Sequence, residues 1–256
     1  MKQLIYQVKI GSSPLYDWCT NSVEKYAENI GADYIQQNTP ILKILPKNRK
    51  ESNRSDKVFE KGYLPIFEKE NAFDYFNKYE QIAIIDADVY IKETSPNIFI
   101  ELPKEYDFGA VLECEMPITD KYRQKIKAYS NGQYKSIANW ESDPSYGYPF
   151  WNMGVMVLNS SFQTYLKGMT AKEFIEQPKF KDFVDGKGNL KWSTDQTLLN
   201  WWIRKQKMKT KNLDWKYNAL YKGVKDDKIK KAHFVHFFLS NHHVKNFNQN
   251  QLEREI

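Results

Sequence analysis

The sequence predicts an α/β fold with a mainly parallel sheet, organised as a single domain over residues 1–256. Three observations predict it. The chain opens with a strand–helix–strand pattern, which favours parallel pairing. The run QIAII at 81–85 is apolar on both faces, as a central parallel strand requires. Short apolar runs and helical stretches then alternate to the C-terminus without repeats, low-complexity tracts or a clear linker.

In chain order, residues 4–10 read as a strand. Residues 16–30 read as a helix with Val23, Tyr26, Ala27 and Ile30 at helical spacing and Gly31 as the stop. A second strand covers 32–36. The polar, basic stretch 46–57 reads as a loop, and 58–79 as a helix that Pro65 breaks or kinks. Strands follow at 81–85 and 107–112. The segment 120–149 is long, polar and ring-bearing, the composition of a binding loop or lid. Residues 153–158 read as a strand, 161–176 and 194–205 as helices, and 233–239 as a last strand.

Composition narrows the function. Hydrophobic residues are 41% and charged residues 27%, which supports a globular core and excludes global disorder. A net charge of +6 mildly favours anionic ligands and, unless concentrated on one face, falls short of a nucleic-acid footprint. Aromatics at 15% suit a ring-lined cleft. Cys19 and Cys114 form no metal or redox motif and read as reduced thiols in a cytosolic setting. No apolar run resembles a signal peptide or approaches the roughly 20 residues of a spanning helix. The expectation is a cytoplasmic protein without an integral membrane segment, with peripheral membrane contact left open.

Asp86 and Asp88 end the apolar run IIDADV. Ligands of open α/β sheets gather beyond the carboxyl ends of strands. Residues i and i+2 of a strand share a face about 7 Å apart. Two carboxylates that close repel unless a cation or a proton intervenes, and a hard divalent cation with positions open to phosphate fits. An ordinary turn in which Asp caps the chain fits the same residues. So does the nucleophile motif of haloacid-dehalogenase-type phosphatases, although some 80 residues of βαβ pattern precede this one. All four histidines lie in HFVHFFLSNHH, residues 233–243. On a strand His233 and His236 face opposite ways, so one of them at most joins a given site. A histidine beside two aspartates tilts the ion toward manganese, with magnesium as the alternative.

Four blocks together resemble the GT-A-type glycosyltransferases, most closely the retaining nucleotide-sugar transferases that include glycogenin and the lipopolysaccharide galactosyltransferases. IIDADV is similar to their D-x-D. FWNMGVMVLN (150–159) is similar to F-N-x-G-V-x-x-x-N, and STDQTLLNWW (193–202) to D-Q-x-x-L-N. FVHFFLSNHHVK (234–245) is similar to the terminal segment whose histidine completes the metal site. LDWKYNALY (213–221) is a weaker likeness. The family commonly continues with G-x-x-K-P-W, where this chain has SNHHVKNF, leaving Lys245, His242 and His243 as candidates for the pyrophosphate.

The resemblance implies a GT-A-like, Rossmann-like mixed sheet flanked by helices. It implies that Asp86, Asp88 and His236 hold the ion and that Lys69, Ala87 and Asn152 contact the donor. Asp195 and Gln196 would line the sugar face and are the evident candidates for a nucleophile; STDQ also reads as a helix capping box with Ser193 as N-cap. Gly11 and Tyr16 would hold the base. The implied reaction moves a hexose from a UDP-sugar, glucose or galactose, to a hydroxyl of a glycan, lipid-linked sugar or protein, with retention. The aromatic segment 120–149 and Trp192, Trp201, Trp202 and Trp215 are candidates for the acceptor surface, and the tryptophans also suit core packing. The rival expectations are a D-x-D phosphatase, a non-catalytic sugar-nucleotide binder, and a basic interaction protein using RKQKMKTK at 204–211.

Overall fold

The computed structural model describes residues 2–192, 194–238 and 247–256, the side chains of 191 and 192 aside. Its centre is a six-stranded mixed sheet in the order β2-β1-β3-β6-β5-β7. The strands are β1 (Gln3–Val8), β2 (Asp33–Gln37), β3 (Gln81–Asp86), β5 (Phe108–Leu112), β6 (Trp151–Asn159) and β7 (Thr210–Asn212). β1 pairs in parallel with β2 and β3, and β5 with β7; β6 runs antiparallel between β3 and β5. A smaller sheet, β4-β9-β8, joins β4 (Val89–Ile91), β9 (Phe234–His236) and β8 (Ala219–Leu220).

The central sheet is covered on both faces, which explains its apolar run. Ala83 and Ile85 of β3 enter one core cluster, and Ile82 and Ile84 enter the other. The four longest α-helices among the described residues are α1 (Pro14–Ile30), α2 (Asp120–Tyr134), α3 (Asp195–Lys205) and α4 (Gln249–Glu255). Gly31 ends α1 in the left-handed conformation, φ +70°, as its position past the last apolar residue predicts.

Several elements differ from the sequence reading. The segment 58–79 is an α-helical turn, Asp56–Lys61, followed by a 3₁₀ run, Pro65–Tyr75. Gly62, at φ +79°, closes the first piece. A tertiary contact accompanies the second: the buried Glu68 carboxylate accepts from Gln37 Nε2 and the backbone N–H groups of Ile41, Leu42 and Lys43. Residues 120–149 are no continuous loop. Thr119 caps α2 by accepting from Tyr122 N, and Tyr122, Ile126 and Tyr134 are buried at helical spacing. The stretch 161–176 is divided by the positive φ of Lys167 and Gly168, and Thr170 and Glu173 restart it with a capping box. Helix α3 is capped by Thr194, whose Oγ1 accepts from Gln196 N; Ser193, the expected cap, lies outside the described residues. The last strand is Phe234–His236, shorter than expected.

The aromatic candidates divide similarly. Trp202 is fully buried against Phe162 and Phe174, and Trp201 packs on Phe180 and Phe183. Trp140 donates to Pro149 O. Arg204, from the basic run, lies over the rings of Trp140 and Trp151 and donates to Pro149 O, so its charge serves packing.

Candidate metal and donor site

Asp86 and Asp88 do not sit along one strand. β3 ends at Asp86, the chain turns through Ala87 and Asp88, and Val89 begins β4 in the second sheet. The aspartates thus occupy the step between two sheets. His236 reaches them by pairing: β9 runs antiparallel to β4 with Val89 opposite His236, and Phe237 N donates to Asp88 O at 2.8 Å. His236 Nε2 lies 3.3 Å from Asp88 Oδ1 and 4.0 Å from Asp86 Oδ2. One ligand atom from each of the three residues falls within 4.8 Å of the others, the spacing of a compact cation site.

A directional relay orients the imidazole. Asn218 Nδ2 donates to Asn152 Oδ1 at 2.8 Å, and Asn152 Nδ2 donates to Glu113 Oε1 at 2.6 Å. Tyr122 OH donates to Glu113 Oε2 at 3.0 Å. With the Asn218 amide so fixed, its Oδ1 faces His236 Nδ1 at 3.0 Å as an acceptor. Nδ1 then carries the proton and Nε2 turns its lone pair toward the aspartates, the tautomer a metal ligand needs. Burial alone would lower the imidazole pKa, but the adjoining Asp88 leaves it above the ordinary value. Burial likewise opposes ionisation of Asp88, and His236 outweighs it, holding that carboxyl low. Glu113 is pushed up to about 7, chiefly by burial.

Lys69 comes from the 3₁₀ run. Its Nζ lies 2.9 Å from Asp86 Oδ1, 2.9 Å from Asp195 Oδ2 and 2.8 Å from the Met153 carbonyl oxygen. Burial would depress this ammonium, yet Asp195 and Asp86 raise its pKa. Asp195 opens α3, and burial lifts its pKa despite Lys69. Gln196 Oε1 accepts from Met153 N at 3.2 Å; the expected capping-box bond to Ser193 lies outside the described residues. Asn152, from β6, contacts the relay rather than forming a simple turn.

These side chains line one cleft of about 760 Å³. It brings together Tyr16, Lys69, Asp86, Ala87, Asp88, Asn152, Asp195, Gln196 and His236. Gly11, at φ +99° just past β1, is not among the lining residues. Lys245, His242 and His243 lie outside the described residues. Sequence reading missed Glu113 and Asn218 as site residues, and it placed Tyr122 only within the aromatic segment 120–149. Of the two, Asn218 carried a signal, the W-K-Y-N of residues 215–218.

The profile of "Glycosyl transferase family 8" matches residues 16–246. The chain belongs to glycosyltransferase family 8. It is therefore a glycosyltransferase of a retaining family whose members use nucleotide-sugar donors and generally need a divalent metal, and the Asp86, Asp88 and His236 cluster is its metal-site candidate. No curated protein matches the sequence. Among solved structures, the chain is similar to a glycosyltransferase involved in glycosylation of the major capsid of PBCV-1, at 15% identity and a TM-score of 0.55, over 93% of this chain and 94% of that one. It is also similar to an active-site mutant of LgtC, at 10% identity and a TM-score of 0.52, over 99% and 94%. These likenesses show the single-domain GT-A-like fold of family 8. No helix among the described residues is long and apolar enough to cross a membrane.

Proposed function

We propose that this family 8 protein transfers a hexose from UDP-glucose or UDP-galactose to a hydroxyl of a glycan, lipid-linked sugar or protein acceptor, with manganese as its ion. The observation that carries this reading is the two-carboxylate, one-imidazole cluster on the floor of the cleft. Imidazole among the donors suits manganese better than magnesium. The ion, when bound, supplies Lewis-acid stabilisation to the departing nucleotide diphosphate.

The chain's own residues do the rest. Asp86, Asp88 and His236 hold the ion. Lys69 fixes the Asp86 and Asp195 carboxylates relative to each other. Asn152 and Glu113 present amide and carboxyl groups to the donor sugar from the same cleft wall. Ala87, at the turn between the aspartates, approaches the donor through its backbone, and Tyr16 on the cleft wall contacts the base. Gly11, outside the cleft lining, and Lys245, outside the described residues, are assigned to the donor on the family likeness alone. Both candidate nucleophiles are engaged: Asp195 by Lys69, and Gln196 Oε1 by Met153 N. That engagement favours a front-face route, in which the acceptor hydroxyl bonds to the anomeric carbon as the donor C–O bond breaks. Its proton passes to the leaving phosphate oxygen.

Thermal shift with UDP and manganese tests this. UDP at 100 times its dissociation constant stabilises by about 2.7 kcal/mol. The shift is expected to require manganese and to disappear in Asp88→Asn. A wild type that UDP plus manganese leaves unmoved, or an Asp88→Asn variant that shifts like wild type, refutes the assignment.

A further inference from the structure

A second cleft, of about 520 Å³, lies on the other side of α1 from the metal centre. Its size is that of a ligand pocket, roughly 300–1,000 Å³. It shares no lining residue with the catalytic cleft, yet the same elements build both: Tyr16 and Asp88 line one, Trp18 and Tyr90 the other. Residues two apart on a helix point to nearly opposite sides, which is how α1 serves two clefts. The inner wall is clamped. Ser22 Oγ accepts from Ile91 N at 2.9 Å and donates to Cys19 O at 2.6 Å, tying α1 to β4. Tyr26 OH accepts from Ile98 N at 2.8 Å and donates to Pro96 O at 2.7 Å. Trp18 stacks on Tyr90, centroids 4.1 Å apart and planes 21° apart, and Phe247 packs against Trp18 at 5.8 Å. Tyr90 is half-buried and makes no second ring contact among the described residues, so one of its faces has no aromatic partner.

The rim is polar and without internal partners. Asn21, Lys25 and Asn29 follow Trp18 at steps of three and four, along one face of α1. Glu93 adds a carboxylate from beyond β4. All four are exposed, and none forms a side-chain hydrogen bond or ion pair among the described residues. Gln249 and Glu253 line the cleft from α4, bonded to each other at 2.8 Å. This composition selects a ligand class. A phosphate-bearing ligand would meet two carboxylates, Glu93 and Glu253, against one free ammonium, Lys25; Asp17 is held by Lys9. A wholly apolar ligand would desolvate the amides without replacing their hydrogen bonds. A pyranose satisfies both halves of the cleft. Its C–H face packs on an aromatic ring, and its hydroxyls donate to carboxylates and accept from amide and ammonium groups.

We propose that this cleft is an accessory glycan-binding site, which takes an uncharged oligosaccharide against Tyr90 with its hydroxyls on Asn21, Asn29 and Glu93. The site goes beyond the transfer reaction, because it needs neither manganese nor UDP. None of these contacts involves residues 239–246.

Saturation-transfer NMR of the full chain with maltotriose, cellotriose, chitotriose and mannotriose, in chelator and without nucleotide, tests this. Calorimetry then measures the affinity of each saccharide that responds. At least one is expected to bind, and UDP with manganese is expected not to displace it. Asn29→Ala and Glu93→Gln are each expected to weaken binding about fivefold, the worth of one hydrogen bond. The triple variant Asn21→Ala, Asn29→Ala, Glu93→Gln is expected to lose the response while its UDP affinity in manganese stays at the wild-type value. Asp88→Asn is expected to leave saccharide binding unchanged. Three results overturn the proposal: no saccharide responds, UDP with manganese displaces the one that does, or the triple variant binds like wild type. Equal loss of saccharide and UDP affinity in the triple variant also overturns it, because that marks structural damage. A wild type that binds a saccharide but no UDP refutes the nucleotide-sugar reading instead and leaves the accessory site standing.

Discussion

Gly154 is the residue at which the candidate site tolerates least change. A Cβ there would come 2.3 Å from His236 Cε1 and 2.5 Å from its Nδ1, closer than any real contact. The imidazole stacks on a bare backbone, so Gly154→Ala is expected to displace it and lower manganese affinity at least about tenfold while far-UV circular dichroism stays native. Wild-type affinity in that variant would show that His236 is not a ligand. Asn218→Ala removes the acceptor that fixes the His236 tautomer. Outer-shell losses of this kind cost about 10- to 100-fold in metal affinity, and manganese titration reads the change directly. The glycine was visible in the sequence as part of FWNMGVMVLN, but its reason was not. The contact joins β6 to β9, some eighty residues apart.

At the scale of elements, the site depends on how α3 begins and how the 3₁₀ run is held. Thr194→Ala removes the cap of α3 and is expected to cost about 1 kcal/mol in urea unfolding. No measurable change would mean that the cap bond is not made in solution. Glu68→Ala removes the acceptor of the buried Leu42 N–H, of one Gln37 amide hydrogen and of the more accessible Ile41 and Lys43 N–H groups, and is expected to cost about 2 kcal/mol. Periodicity made α1 and α3 legible because each shows a single apolar stripe. It failed for the Pro65–Tyr75 run, where polar and charged residues are buried: Glu68, Lys69, Glu70 and Asn71 point inward to tertiary partners or into the site. It failed for α2 because buried tyrosines in a polar stretch look like loop residues.

The whole molecule carries an unusual pH dependence. Glu70 is fully buried, and beyond its own backbone N–H neither carboxyl oxygen finds a hydrogen-bond partner among the described residues. Burial first, then the charge of Asp195, hold its pKa well above the usual range. Glu113, at about 7, is shifted the same way. Both carboxyls retain protons in the folded state that the unfolded chain releases from about pH 4.5 upward. The folded state then binds more protons, so this contribution to stability is full below pH 4.5, and the part due to Glu113 is lost as pH rises through about 7. For Glu113 the loss is about 3 kcal/mol. Urea melts in the presence of chelator are expected to show lower stability at pH 7.5 than at pH 5, and Glu113→Gln is expected to reduce the difference. A wild type more stable at pH 7.5, or an unchanged difference in the variant, contradicts the assignment.

The α/β class, the central strand, the glycine stop of α1, the helix α3, and Asp86, Asp88, His236, Lys69, Asn152, Asp195 and Gln196 as candidates were all legible in the sequence. The elements depend on local physics, an apolar run long enough for a buried strand and a single amphipathic stripe, whereas the candidate residues came from the likeness of their blocks to the family's motifs. Tertiary structure alone decided that Asp86 and Asp88 straddle two sheets, that Lys69 binds carboxylates 17 and 126 positions away, and that Glu113, Asn152 and Asn218 orient the histidine. A buried polar group satisfies itself with whatever donor or acceptor the fold brings within reach, and sequence spacing carries no record of that distance.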